Sequence, residues 1–128
     1  MPENHILYYI DDNDDIIGHI YGEINSNNDD GEINSNNVNI VDVKIRNKYL
    51  STGRGIELLN EYINTILKKY KNINAFELFN AGGIRSCNFY KKVFLKLGFK
   101  NYDANNNELF INCEENHSIV MKFKKISS

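Results

Sequence analysis

The residues with the clearest chemical reading are Ser51, Thr52, Gly53, Arg54 and Gly55, which join a β-branched alternating run, VNIVDVKI, to an amphipathic stretch, GIELLNEYINTILKKY. A helix that starts here exposes N–H groups without intrahelical partners and a partial positive charge aimed back at the strand, an arrangement that receives phosphate. Gly53 and Gly55 carry no Cβ, so a pyrophosphate can approach the main chain closely. Each charge-assisted hydrogen bond formed there is worth about 1.5–3 kcal/mol. A GxG is equally the pattern of a turn followed by a helix cap, and two common nucleotide signatures are missing. The Walker loop needs a Gly-Lys-Ser/Thr that is absent, and the dinucleotide fingerprint needs a third Gly where Leu58 stands. Cys87 and Cys113 have no CxxC spacing and no His or Cys at metal-ligand intervals, so they are expected as two reduced thiols and no metal is expected. His5, His19 and His117 share no spacing and are expected at surface or hairpin positions. No Cys, His and Asp constellation points to a covalent enzyme intermediate.

The elements that must hold this loop follow from periodicity. HILYYIDDNDDIIGHIYGEI reads as two antiparallel strands joined by a turn at Asp12 to Asp15. GEINSNN at 22–28 returns at 31–37, a tandem nine-residue unit too short and too few for a solenoid, hence an expanded polar loop or a lengthened hairpin tip. Val38 to Ile45 is a strand, and Ile56, Leu59, Ile63, Ile66 and Tyr70 then form one stripe at helical spacing. INAFELFN is a further strand. The next helix places Cys87, Tyr90, Phe94 and Leu97 on one face, with Gly98 as its stop. ELFINC and HSIVMKFKK read as a closing hairpin across a polar turn. This order predicts one α/β domain over residues 1–128, with a mixed, mostly antiparallel sheet flanked by helices.

Length and charge exclude several classes. The chain has 128 residues, 15 Lys+Arg against 17 Asp+Glu and a net charge of −2, which suits one ordinary domain and argues against nucleic-acid binding driven by a basic face. No apolar run approaches the roughly 20 residues that span a membrane. Met1 opens into polar residues rather than a signal peptide, so a cytoplasmic protein is expected. Asn at 22 residues and Lys over Arg at 12 to 3 reflect A/T-rich codons rather than chemistry.

Taken together, IVDVKIRNKYLSTGRGIELL, the strand AFELF, the helix ending FLKLGF and the final VMKF resemble the GNAT superfamily of N-acetyltransferases, over nearly the whole chain. The resemblance implies a sheet splayed between the strand at Val38 and the one at Ile73, and transfer of acetyl from acetyl-CoA directly to a primary amine. It places the pantetheine arm along Val43, Lys44 and Ile45 and the pyrophosphate on Ser51, Thr52, Gly53, Arg54, Gly55 and Ile56, with Asn80 bonding the pantetheine or capping its own loop. Leu50 stands where the family usually has Arg or Gln, and Arg54 either supplies compensating charge or is solvated. The family's first strand and two helices do not precede the hairpin here, so the acceptor pocket is open or is completed by a second subunit, a homodimer.

An attacking amine must be neutral, and deprotonating an ordinary lysine at pH 7 costs roughly 4.6 kcal/mol, less than the about 7–11 kcal/mol available from positioning. Asp42 within the central strand is the candidate base, with Glu23 weaker, and Asn39 occupies a position where some family members carry glutamate. The family often protonates the leaving thiolate with a Tyr at the site of Phe94. Tyr90, one turn earlier on the same face, is the candidate acid. Acidic Asp11, Asp12, Asp14 and Asp15 either attract a cationic amine or form a solvated turn. The acceptor is a small-molecule or peptide amine. Leu50, Phe94 and the short N-terminus also fit the alternative, a catalytically inactive module that binds CoA or a protein partner.

Overall fold

A computed structural model describes residues 3–10, 13–29 and 32–125. They form six strands and two helices in a mixed α/β arrangement with mostly antiparallel strand pairing: β1 (Glu3–Ile10), β2 (Ile16–Asp29), β3 (Glu32–Ile45), α1 (Arg54–Lys69), β4 (Ile73–Asn80), α2 (Gly83–Lys96), β5 (Phe99–Tyr102) and β6 (Ile119–Lys125). The chain divides into two compact units, 1–73 and 74–128. No helix among the described residues is long and apolar enough to cross a membrane.

In the first unit β1, β2 and β3 form an antiparallel meander. The repeated GEINSNN segments fall mostly on the paired strands, Asn25 opposite Asn37 and Ser26 opposite Asn36, so the duplication lengthens one hairpin. β3 therefore starts at Glu32 rather than Val38. Alternation puts Ile20, Gly22 and Ile24 of β2 on the buried face, where Tyr62 of α1 lies directly over Gly22. The buried positions of α1 are Leu58, Leu59, Tyr62, Ile63 and Ile66, while Ile56 and Tyr70 are half-buried. Leu58 and Tyr62 broaden the face beyond the single stripe.

The β2–β3 ladder is interrupted within β3. Tyr21 stands opposite Asp42 and Gly22 opposite Ile40, so Val41 is an extra residue, a β-bulge. Before it Val38 and Ile40 are buried; after it Asp42 and Lys44 are exposed on one face, with Val43 and Ile45 half-buried on the other.

In the second unit the strand order is β4, β6, β5, all antiparallel. Its core is aromatic: the Phe94 and Phe123 rings stack at 4.2 Å, with Phe76 at 5.5 Å and Phe99 at 5.4 Å from Phe94. Gly98, at φ 91°, ends α2, as its spacing implies. Cys87, Val93 and Phe94 are the buried positions of α2, and Tyr90 and Leu97 are half-buried.

Two expectations from the sequence are corrected by the fold. The closing hairpin is not ELFINC with β6. The partner of β6 is Phe99–Tyr102, whose alternate residues Phe99 and Asn101 are buried. ELFINC is irregular: it crosses Asn101 through Leu109 N–H to Asn101 O at 2.9 Å, and leaves Phe110 82% exposed. The cysteines are not two reduced thiols either. Cys87 on α2 and Cys113 are joined in a disulfide with Cα atoms 5.7 Å apart, an ordinary spacing for such a bond. Nothing in a sequence separation of 26 announces that α2 and this loop meet.

In the chain-entropy account a cross-link closing a loop of 26 residues stabilises by about 3.5 kcal/mol. Dithiothreitol, or Cys87→Ser, should lower the melting temperature by several degrees, and mass spectrometry with a thiol-alkylating reagent should find no alkylated cysteine in the native protein without reductant.

Candidate functional site

The connection from β3 to α1 is built almost entirely from local main-chain bonds. Arg46 N–H binds Ile17 O at 2.9 Å and closes the β2 ladder. A short 3-10 turn over Asn47–Tyr49 comes next, in which Tyr49 N–H reaches Arg46 O at 2.9 Å and Leu50 N–H reaches Asn47 O at 3.2 Å. Thr52 Oγ1 donates to Tyr49 O at 2.5 Å. Ser51 and Gly53 both take left-handed angles, φ 63° and 85°, and Gly53 is the N-cap of α1. This double reversal turns the chain from strand into helix within three residues.

The first helical bond is Glu57 N–H to Gly53 O at 3.2 Å, so the N–H groups of Gly55 and Ile56 precede it, and Arg54 N–H leans on Thr52 Oγ1 at 3.4 Å. A Cβ on Gly53 would meet nothing within 4 Å. The six residues expected to receive phosphate, 51–56, run through the N-terminus of α1, with open space beside Gly53.

Asp15, in the β1–β2 connection, clamps this loop from outside. Its carboxylate accepts from Arg46 at 2.6 Å and from Tyr49 Oη at 2.9 Å, and pairs with Lys48. The Lys48 hydrogen bond first, then that of Tyr49, holds the Asp15 carboxyl at about 2, against 3.8 for an ordinary aspartate. Its charge is spent on the loop rather than offered to a cationic amine. Asp14 sits exposed at φ 61°, and Asp11 and Asp12 lie outside the described residues.

Arg54 neither projects alone nor is merely solvated. Its guanidinium pairs with Glu57 at 3.1 Å, and the Tyr9 hydroxyl donates to the same carboxylate oxygen at 2.5 Å. The Tyr9 bond and then the Arg54 bond keep the Glu57 carboxyl below its usual range. A carboxylate in the first turn favours the helix dipole and at the same time opposes a bound anion.

On the exposed face of the meander Asp42 is joined by a residue that spacing did not single out. His19 Nε2 lies 3.0 Å from Asp42 Oδ2. The two are diagonal neighbours across β2 and β3, since His19 faces Lys44 and Tyr21 faces Asp42. Only strand register plus the bulge reveals the pair. Glu23 faces Asn39 on the same pair of strands.

The remaining candidates belong to the second unit. Asn80, 2% exposed, donates to Gly83 O at 3.0 Å and His117 O at 2.6 Å and accepts from Gly82 N–H at 3.4 Å, so its amide fastens the loop after β4. Tyr90 is half-buried with its ring 5.1 Å from that of Phe89. Phe94 is wholly inside the core and offers no polar group. A pocket of about 350 Å³ lies beside α2, but Lys91 there donates to Ile111 O at 2.7 Å and Lys100 pairs with Glu108 at 3.3 Å, so its charges serve its own walls. Among the described residues no group of three or more His, Cys, Asp or Glu is placed to hold a metal ion.

No family model and no curated protein matches the sequence. Solved structures do. An acetyltransferase from Bacillus cereus ATCC 14579 is 19% identical over 97% of this chain and 73% of its own, with a TM-score of 0.56. A chimera of spermidine N-acetyltransferase SpeG from Vibrio cholerae with hSSAT is 17% identical over 96% of this chain and 66% of its own, at 0.62. Arabidopsis thaliana Naa50, in complex with the bisubstrate analogue CoA-Ac-MVNAL, is 22% identical over 90% of this chain and 68% of its own, at 0.54. The chain spans about two thirds of the length of the structures it matches. It has the fold of the GNAT N-acetyltransferases.

Two expectations arise from the loop's electrostatics. Glu57→Gln removes the carboxylate in the first turn of α1 and releases Arg54, so affinity for inorganic pyrophosphate should rise several-fold at low salt and the gain should shrink as salt is added, read by calorimetric titration. The Asp15 clamp has a lowered folded pKa, so its stabilisation is complete above the unfolded value of 3.8 and is lost as pH falls toward about 2. The melting temperatures of wild type and Asp15→Asn should differ by a constant amount above about pH 4 and converge at about pH 2.

Proposed function

We propose that the protein is an N-acetyltransferase that moves acetyl from acetyl-CoA directly to a primary amine. The observation that carries this is the β3–α1 junction: a strand end, two left-handed residues and a helix N-terminus whose first N–H groups precede the helical ladder. In this reading the pantetheine arm runs along the main chain of Val43, Lys44 and Ile45. The diphosphate is received by main-chain N–H groups from Ser51 through Ile56. Leu50 does not impair this, because the donors are backbone groups whose geometry a side chain at that position does not set. Asn80 enters by fixing the loop after β4, since its amide is already bonded there.

Chemistry then needs register more than strong acid–base groups. The amine nitrogen attacks the thioester carbonyl carbon, the C–S bond breaks, and the amine loses two protons while the thiolate gains one. Asp42 and what is bonded to it form the acceptor end, and Tyr90 is the donor assigned to the thiolate. A coenzyme A thiolate, with a pKa near 8.5, is a tolerable leaving group even without that donor.

A second reading is a protein of the same fold that binds coenzyme A without turnover. Phe94 favours it, because the position that would carry a hydroxyl is a ring stacked inside the core.

Calorimetric titration with acetyl-CoA should show binding that Gly55→Asp abolishes, since a carboxylate at that position faces the diphosphate. Thiol release from acetyl-CoA should then depend on an added amine, across a panel that includes spermidine and N-terminal peptides. Absence of heat up to millimolar acetyl-CoA refutes the proposal; binding with no acceptor-dependent thiol selects the second reading.

A further inference from the structure

We propose that His19 is the proton acceptor of this acetyl transfer and that Asp42 is the residue that positions it; this rests on the acetyltransferase reading above. The observation is the 3.0 Å contact from His19 Nε2 to Asp42 Oδ2 on the exposed face of the β2–β3 pair. An ionised carboxylate only accepts, so Nε2 carries the hydrogen and Nδ1 keeps its lone pair. The carboxylate therefore selects the tautomer and fixes the ring, while the basic nitrogen stays available to a substrate.

Asp42 alone is a poor acceptor for an ammonium proton. A carboxylate ordinarily titrates near 3.9 and a lysine-type amine near 10.4, whereas an imidazole ordinarily titrates near 6.5. Proton transfer is most effective when the acceptor titrates close to the working pH, which favours the ring over the carboxylate. Both side chains reach water, His19 at 30% and Asp42 at 56% exposure, so an acceptor amine can approach. The other histidines are set differently: His5 packs against the rings of Tyr62 and Tyr70, and His117 Nδ1 is buried without a hydrogen-bond partner.

The surroundings of His19 come from three strands. Tyr8 of β1 places its ring 5.9 Å away, Lys44 of β3 stands directly opposite, and Tyr21 of β2 faces Asp42. The bulge at Val41 is what makes the pair possible. Without the extra residue, Asp42 would share the buried face of Val38 and Ile40, and no carboxylate would meet the ring. In the reaction, Nδ1 takes one proton from the substrate ammonium, and the freed nitrogen lone pair forms the bond to the carbonyl carbon. The second amine proton is lost as the C–S bond breaks and replaces the one that Tyr90 gives the departing thiolate, and the imidazolium returns its proton to water.

The test uses the whole chain. Wild type should show acceptor-dependent thiol release, with a pH profile against which the variants are read. His19→Gln should lower kcat by about 100-fold or more and change that pH profile, while the dissociation constant for acetyl-CoA stays unchanged. His19→Ala should recover activity on addition of free imidazole, which a merely structural role would not produce. Asp42→Asn should cost less in kcat and should shift the ring from the Nε2–H tautomer to a mixture in nitrogen-15 NMR spectra. A wild type that turns over, paired with a His19→Gln variant of equal kcat and pH profile, overturns this proposal and leaves the acetyltransferase reading standing. A wild type that binds no acetyl-CoA or releases no acceptor-dependent thiol overturns both.

Discussion

A helix cannot begin without leaving several N–H groups unpaired, and in the first unit those groups are concentrated where a strand has just ended. Almost every feature of residues 46–57 serves that constraint. Two left-handed residues, Ser51 and Gly53, reverse the chain so that α1 starts at Arg54 with its N-terminus uncovered. The 3-10 turn and the Thr52 hydroxyl pair the polar groups of the connection among themselves, so the loop holds its shape with its own atoms. Asp15 then ties Arg46, Lys48 and Tyr49 to the preceding hairpin. Receiving an anion at such a site requires little reorganisation, because the donors are main chain and their directions are set by the fold.

The sheet beside it shows how one extra residue changes what a strand presents. Before Val41, β3 alternates its apolar side chains onto the face covered by α1; after it, the parity is reversed. A strand without the bulge would have continued burying even-numbered positions, which would put the Asp42 carboxylate on the buried face that Ile20 and Ile40 share, at a desolvation cost. With the bulge it lies on the open face beside His19. Tyr8 of β1 flanks the same imidazole, so polar and aromatic groups of three strands gather on the side of the sheet opposite the buried Ile20 and Ile40.

How far the sequence could be read depends on which interactions are local. The strand–GxG–helix junction, the α1 stripe, β4 and the Gly98 stop depend on neighbours a few residues apart, and periodicity with glycine chemistry finds them. The fold class follows from their order. What escaped was set by contacts remote in sequence. The His19–Asp42 pair requires knowing that positions 23 residues apart lie diagonally across two strands, and that a bulge has shifted their parity. The Cys87–Cys113 bond requires knowing that α2 meets the loop after β5. ELFINC has the alternation of a strand, yet the four residues Phe99–Tyr102 take the place beside β6, because Gly98 delivers them there directly from α2 and Phe99 joins the aromatic core.

Charge around the start of α1 sharpens the distinction between what side chains and main chain contribute. Arg54 is the one cation inside the loop, and it is neutralised by Glu57, whose carboxylate also takes the Tyr9 hydroxyl. The side chains nearest the helix start therefore add almost no net charge, and a ligand would meet the partial charges of the peptide groups rather than an arginine. An arginine would bind any phosphate that reached it, in many orientations. In the proposed reading the N–H groups at the start of α1 hold the diphosphate end of a long ligand whose remainder runs along Val43 to Ile45. Under that proposal the pairing of Arg54 with Glu57 leaves attraction of the anion to the main-chain groups at the helix start.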